Sequence, residues 1–365
     1  MREISLPLPG RDQSYQILIN PGLRLRLPRL LASLHLPRRV FLITDTRVGG
    51  LYGHQAVAVL QEAGYSPTLL TTPRGERAKT WPVVQRLARD LLARGADRGS
   101  PLIALGGGVV GDLTGFLASI FMRGLPFIQV PTTLLAMVDA AIGGKTAINL
   151  PEGKNLLGTF HQPRLVAIDP QFLRTLPPAQ RRNGLAEVLK AGFIQDPDLL
   201  SQLEKAKARI FRDEEELTEI IYRAAAIKAR VVVADEREGG LRRILNFGHT
   251  LGHGLEQASS FRLAHGEAVA WGMLAALTLS EKLAGLPRPE GTWGRQLIRH
   301  LGLARSLPRL DPQAVLSALT LDKKRQEDKV VFVLLRRLGE PVIQEDVSLE
   351  LIEEALEEEI FGAVK

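Results

Sequence analysis

Leu102-Ile103-Ala104-Leu105-Gly106-Gly107-Gly108-Val109-Val110-Gly111-Asp112 decides how the first half of the chain folds. Four apolar residues running straight into glycines read as a buried strand that ends in a tight turn, and the apolar residues 113–121 read as the helix leaving it. Gly106, Gly108 and Gly111 satisfy G-x-G-x-x-G, a spacing that is weak evidence by itself. The physical case is stronger: glycines let a phosphate approach the backbone, and the N–H groups and dipole at a helix start favour negative charge. A purely structural turn is the alternative.

Working outward, residues 40–44 and 68–71 read as further short strands, with helices expected at 51–63 and 81–94. Apolar strands alternating with helices imply a parallel sheet covered on both faces, which binds nucleotides at its carboxyl edge. Asp45 closes the first strand, where it could accept hydrogen bonds from a ribose or cap a helix; Gly75, Glu76 and Lys79 follow the second. From about Pro177 the pattern becomes helical, at 183–193, 214–233, 245–257, 265–283 and 349–360, with a single strand expected at 330–335 after the charged stretch 322–329. The fold class is therefore α/β: a Rossmann-like nucleotide domain over 1–176 and a mainly helical domain over 177–365.

The 365 residues are 45% apolar and include no cysteine, so disulfides, thiolate metal sites and thiol nucleophiles are excluded, and any metal must use His and carboxylates. The first residues lack the cationic start and apolar core of a secretory signal, and 125–138 is interrupted by Pro126 and Pro131. A cytoplasmic protein without a membrane partner is expected. The net charge of +7 is spread along the chain with only 5% aromatics, which suits anionic small molecules better than nucleic acid.

Three segments of the second half carry the remaining chemistry: Glu187-Val188-Leu189-Lys190, Asn246-Phe247-Gly248-His249-Thr250-Leu251-Gly252-His253, and His265-Gly266-Glu267. By helical spacing His249 and His253 are the obvious chelating pair, with His265 and Glu187 the nearest further ligands. Gly248, Gly252 and Gly254 interrupt an apolar helix at a cost of about 1 kcal/mol each, which suggests close approach of another backbone or of a ligand. Arg123, Lys145, Lys154, Lys190, Lys228 and Arg242 supply cations enough for a phosphate and a carboxylate.

The stretches Gly106–Phe116, Arg123-Gly124, Pro131–Asp139, Gly143–Thr146, Lys154-Asn155, Gly184–Lys190, Asp235-Glu236, Gly240–Arg242, Leu245–His253, Glu256 and His265–Glu267 together resemble 3-dehydroquinate synthase over nearly the whole chain. The resemblance implies metal ligands Glu187, His249 and His265 for zinc or cobalt, with His253 touching substrate instead of metal. It implies NAD contacts from Asp45, Glu76, Lys79, Gly107, Gly108, Asp112, Thr132, Thr133, Lys145, Lys154 and Thr175. Catalytic or substrate contacts fall to Arg123, Asp139, Lys145, Lys154, Asn155, Lys190, Lys228, Glu238, Arg242, Asn246, His253 and Lys324. Arg123 would reach a neighbouring subunit of a homodimer. Ser119, Phe121 and Gly254 depart from the family's usual Ala, Tyr and Ala without removing a chemical group.

The implied substrate is 3-deoxy-D-arabino-heptulosonate 7-phosphate, cyclised with loss of phosphate and with NAD regenerated in each turnover. Another sugar-phosphate cyclase, or a metal-dependent polyol or glycerol-phosphate dehydrogenase of the same fold, is the rival.

Overall fold

The computed structural model describes residues 1–8, 14–305, 307–308, 310–321 and 330–361. They form two compact units, Met1–Pro177 with Glu214–Arg237, and Pro178–Asp213 with Glu238–Lys365.

The first unit is built on β1 (Arg2–Leu6), β2 (Tyr15–Ile19), β3 (Arg39–Asp45), β4 (Ser66–Thr72), β5 (Leu102–Gly106), β6 (Phe127–Pro131), a separate hairpin of β7 (Lys145–Leu150) and β8 (Gly153–Phe160), and β9 (Leu165–Ile168). Seven of these form one sheet in the order β1-β2-β9-β6-β5-β3-β4, parallel except for the β1–β2 pair. Every residue of β5 and β6 is buried, as continuously apolar strands covered on both faces require. From β3 the chain moves outward to β4 and then returns to β5 on the other side, so strand order reverses between β3 and β5. Their carboxyl ends carry Asp45 and the glycine turn.

Strands expected at 40–44, 68–71 and 102–105 are present as β3, β4 and β5, each extended by one to three residues. The N-terminal hairpin, β6, the β7–β8 hairpin and β9 were not legible in the pattern, because these strands are short and β8 is exposed along most of its length. Helix Glu214–Ala234, which follows Pro177 in the chain, belongs to the first unit: its apolar side packs on β1 and on the turn Pro170–Thr175, and its start is tied by Arg174 to Glu214 at 2.6 Å. Sequence order does not carry that information; the buried stripe Leu217, Ile220, Ile221, Ala224 does, once it has a partner.

The second unit is organised on helix His265–Leu279, in which every residue from Ala268 to Leu279 is buried. A helix apolar on all sides must be surrounded, and here helices Pro178–Gln195, His249–Ala258 and Arg288–His300 and strand β10 (Phe332–Arg337) surround it. Among the described residues the second half holds two strands instead of one: β10 pairs antiparallel with β11 (Glu340–Gln344) across a turn at Gly339, φ 88°. Pro341 and partial burial hide β11 from pattern reading. The single helix expected at 245–257 is divided into a 3-10 turn, Leu241–Asn246, and helix His249–Ala258, because Gly248 adopts φ 78°.

The glycines are explained by backbone approach. A Cβ on Gly272 would lie 1.9 Å from the carbonyl oxygen of Gly248, one on Gly252 would lie 3.2 Å from Val269 Cα, and one on Gly254 would lie 3.1 Å from a Leu319 methyl. Helices His249–Ala258 and His265–Leu279 therefore touch through main chain. No helix among the described residues is long and apolar enough to cross a membrane.

Gly272→Ala is expected to lower unfolding stability by about 2–3 kcal/mol, since rigid backbone must yield. Gly50→Ala, in the helical turn Gly49–Gly53 where no atom lies within 4 Å of the added carbon, should instead raise it by about 0.5–1 kcal/mol. Denaturant unfolding of the two variants distinguishes these outcomes.

Candidate active site

Strand-order reversal creates a crevice at the carboxyl edge of an open sheet, the place where such sheets accept ligands. In the first unit Gly107 follows β5 in extended backbone and precedes helix Gly108–Ile120 without any side-chain cap. A Cβ at Gly111 would meet Gln129 Oε1 at 2.7 Å, and one at Gly106 would meet Val110 at 2.6 Å, so these glycines let helix and strand pack closely while leaving the helix start presented by Gly107 and Gly108. Asp45 caps the turn Thr46–Val48 through Oδ1, which accepts from the N–H groups of Arg47 and Val48 at 2.7 and 2.9 Å. At the end of β6 the buried Thr132 hydroxyl has no hydrogen-bond partner, while Thr133 Oγ1 accepts from the N–H of Ala136 at 3.2 Å. Thr175 Oγ1 shares a 2.6 Å hydrogen bond with Tyr52. An uncapped helix start at the reversal point and an orphaned buried hydroxyl at the end of the neighbouring strand β6 are what a dinucleotide would satisfy.

Lys79 is 3% exposed and donates to Asp112 Oδ2 at 2.6 Å and to Asn155 Oδ1 at 2.5 Å. Burial pushes the Asp112 carboxyl up to about 6 against the pull of that ammonium. Lys145, Lys154 and Asn155 lie exposed on the β7–β8 hairpin, and Asn155 is left-handed at φ 58°. Lys228 donates to Asp139 Oδ1 at 2.5 Å, joining helix Glu214–Ala234 to the turn Ala136–Ala140. Met122, Arg123 and Gly124 take positive φ in succession, 49°, 71° and 125°, and leave Arg123 exposed. Backbone strain of this kind persists where a side chain's direction matters.

In the second unit Glu187 lies in the middle of helix Pro178–Gln195 with 2% exposure. Helix His249–Ala258 brings His249 Nε2 to 3.5 Å from Glu187 Oε1, and the start of helix His265–Leu279 brings His265 Nε2 to 3.4 Å from the same oxygen. The seat of His265 is fixed by Asn183, one turn before Glu187, whose Oδ1 accepts from the N–H of Gly266; a Cβ there would lie 2.2 Å from the Asn183 carbonyl oxygen. Ligand atoms of Glu187, His249 and His265 all lie within 4.8 Å of one another. The cluster around Glu187 takes His265 and leaves out His253, which groups instead with Glu256 and the other face of His265. The one-turn spacing of His249 and His253 puts both rings on one side, 5.5 Å apart, but Glu187 meets only the first.

Lys190 forms an ion pair with Glu187 Oε2, yet neither carboxylate oxygen has a well-formed hydrogen bond. Burial opposes ionisation of Glu187, but Lys190 and the imidazoles hold its carboxyl well below the usual carboxylate range. Burial, reinforced by Lys190, holds His249 well below the ordinary imidazole value. Burial opposes a charged His265 too, but the Glu187 and Glu256 carboxylates beside it push it up to about 10. Two imidazole nitrogens and a carboxylate oxygen are the donor set of a catalytic-type zinc site, and bonds of about 2.0–2.2 Å around a tetrahedral centre put neighbouring donors about 3.4 Å apart. The observed 3.4 and 3.5 Å fit that spacing. Glu256 Oε2, 3.5 Å from His265 Nδ1, stands where a carboxylate orients a metal-bound imidazole.

Arg242 is 1% exposed in the turn Leu241–Asn246, Asn246 closes that turn, and Glu238 has φ 63°. Lys324 lies outside the described residues. Three residues were not singled out as site groups by sequence reading: Asn149, Asn183 and Glu256. Only Glu256 carried a usable signal, being three residues after His253 and seven after His249 on one helix face. His249→Ala or His265→Ala is expected to lower cobalt(II) affinity at least about 100-fold and Glu256→Gln about 10- to 100-fold; competition with a chelating dye measures both.

Comparisons with known proteins place nearly the whole chain among relatives. Residues 69–183 match the model of the 3-dehydroquinate synthase N-terminal domain and 184–325 that of the C-terminal domain. A 3-dehydroquinate synthase of Nostoc punctiforme is 44% identical over 359 residues, covering 97% of this chain and 98% of its own length. One from a Synechococcus species is 45% identical over 364 residues, covering 97% and 98%. Among solved structures, 2-epi-5-epi-valiolone synthase from Streptomyces hygroscopicus, with NAD+ and Zn2+ bound, superposes with a TM-score of 0.87 at 33% identity, over 95% of this chain and 96% of its own. A 2-deoxy-scyllo-inosose synthase in complex with carbaglucose-6-phosphate, NAD+ and Co2+ gives 0.87 at 27% identity, over 98% and 100%. An iron-containing alcohol dehydrogenase, at 14% identity and a TM-score of 0.69, shares the fold alone. With both domain models matched in order and relatives aligned along almost their whole length, the chain belongs to the 3-dehydroquinate synthase family.

Proposed function

We propose that this chain catalyses the 3-dehydroquinate synthase reaction, turning 3-deoxy-D-arabino-heptulosonate 7-phosphate into 3-dehydroquinate and phosphate in the shikimate pathway, with catalytic NAD and a divalent metal, zinc or cobalt. The observation that carries the reading is the cluster of Glu187, His249 and His265 at donor spacing, in a chain whose sheet also presents an uncapped helix start at its reversal point.

When bound, NAD supplies a reversible hydride acceptor and the metal a Lewis acid for hydroxyl oxygens. Gly107, Gly108 and the following helix start would hold the pyrophosphate, with Asp45, Glu76, Lys79, Asp112, Thr132, Thr133 and Thr175 along the rest of the dinucleotide. Glu187, His249 and His265 would hold the metal, and Glu256 would fix the ring of His265. The chain's own residues then have separable tasks. Lys145, Lys154 and Asn155, on an exposed hairpin, suit the phosphate; Arg242, a planar fork removed from solvent, suits the carboxylate, with Asn246 beside it. Lys228 fixes the Asp139 carboxylate, and Lys190 compensates the charge of Glu187, so that acid and base groups meet a held substrate. His253 and Glu238 complete the candidate set.

A homodimer is part of this reading. Among the described residues β8 pairs only with β7 and its other edge carries no strand, and Leu156, Leu157 and Phe160 on it are 49%, 37% and 41% exposed. An apolar open edge calls for a partner strand, and a second copy brings an identical one. Phe160→Glu should shift the chain to monomer in sedimentation. A cytoplasmic location, without nucleic-acid or membrane partners, completes the proposal.

Phosphate release from the heptulosonate phosphate is expected to require both NAD and divalent metal, with no net NADH absorbance. Net NADH without phosphate would instead indicate a dehydrogenase on this fold. Arg242→Lys, which keeps the charge but loses the fork, should raise the substrate KM at least about tenfold while calorimetry finds NAD affinity unchanged.

A further inference from the structure

The β7–β8 hairpin is irregular at one place. Lys145, Thr146, Ala147 and Ile148 pair in step with Phe160, Thr159, Gly158 and Leu157, but the next pair is Leu150 with Gly153. Asn149 alone therefore faces Lys154, Asn155 and Leu156. Bulges of this kind re-aim side chains beside active sites, and this one carries two of the residues directed at substrate. A bulge with a left-handed Asn155 needs something to hold it.

Asn149 supplies that hold. Its Oδ1 accepts from the N–H of Asn155 at 2.9 Å, its Nδ2 donates to Glu76 Oε2 at 2.8 Å, and its own N–H donates to the carbonyl oxygen of Lys79 at 2.8 Å. The amide orientation is fixed by its neighbours, because a backbone N–H can only donate and an ionised carboxylate can only accept. Lys79 closes the circuit by donating to Asn155 Oδ1 and Asp112 Oδ2. One partly buried side chain thus ties the bulge bearing Lys154 and Asn155 to the loop bearing Glu76 and Lys79.

We propose that Asn149 is a positioning residue that holds the substrate-directed bulge of β8 through one arm of its amide and the cofactor-directed loop 76–79 through the other. The inference rests on the functional reading above. Asn149 touches neither ligand in this scheme and acts through Glu76 and Asn155.

Two substitutions separate the arms of the tether. Asn149→Ala removes both side-chain bonds. Asn149→Asp keeps an acceptor for Asn155 and sets a carboxylate against Glu76. With metal-loaded protein, the NAD Kd is measured by calorimetry and the substrate KM by phosphate release at saturating NAD. Asn149→Ala is expected to weaken both about tenfold, the effect of losing one hydrogen bond to a charged or strained group. Asn149→Asp should weaken NAD by a similar factor and leave KM within about twofold of wild type. Wild-type values for both constants in Asn149→Ala, with only a lower melting temperature, would reduce Asn149 to a structural residue and overturn the proposal; so would an Asn149→Asp variant that moves both constants equally. Should Asn149→Ala fail to fold, the split predicted for Asn149→Asp decides the matter. Failure of the functional reading is separate and shows in the wild type, as NAD binding without phosphate release.

Discussion

Glu187 puts a carboxylate into the interior of a helical unit, where an uncompensated charge would be costly. Much of the second unit can be read as the means of compensating it. Lys190, one turn along the same helix, supplies an ammonium; His249 and His265 arrive on two other helices; and Asn183, one turn before, pins the start of the helix that carries His265. Removing any one of these leaves a buried charge short of partners, which makes the arrangement poor as a stabilising device and well suited to holding a cation.

That cluster depends on how closely two helices can approach. Gly248, Gly252 and Gly272 let helices His249–Ala258 and His265–Leu279 meet through main chain, and a side chain at these places would hold the histidines away from Glu187. The first unit uses the same device for another purpose: Gly106 and Gly111 seat a helix against β5 and β6, and this leaves the start of that helix at the reversal of strand order. In both units glycine costs the chain entropy and returns proximity that no larger residue permits.

Elsewhere, direction is set by local irregularity. The left-handed turn at Met122-Arg123-Gly124, the bulge opposite Asn149 and the positive φ of Glu238 each sit at a residue that the proposed function gives to substrate. Regular strands and helices project side chains at fixed angles. Departures from that regularity turn side chains in directions that regular elements do not offer, and here Asn149 and Lys79 hydrogen-bond the bulge that carries Asn155.

The sequence by itself determined the alternation of short apolar strands with helices, the glycine turn after β5, the absence of thiol chemistry and the identity and order of the groups able to hold a metal. These are local properties, written in periodicity, spacing and residue type. Helical spacing places His249 and His253 alike; the family resemblance already separated them, and the tertiary structure supplies the physical reason, since the helix that carries His265 brings it to Glu187 with His249 while His253 groups with Glu256. Tertiary structure alone decided that helix Glu214–Ala234, and Lys228 with it, returns to the first unit, and that Asn149 faces a bulge. Contacts between residues tens of positions apart depend on which faces find each other when the chain packs, and no periodicity along the chain records that choice.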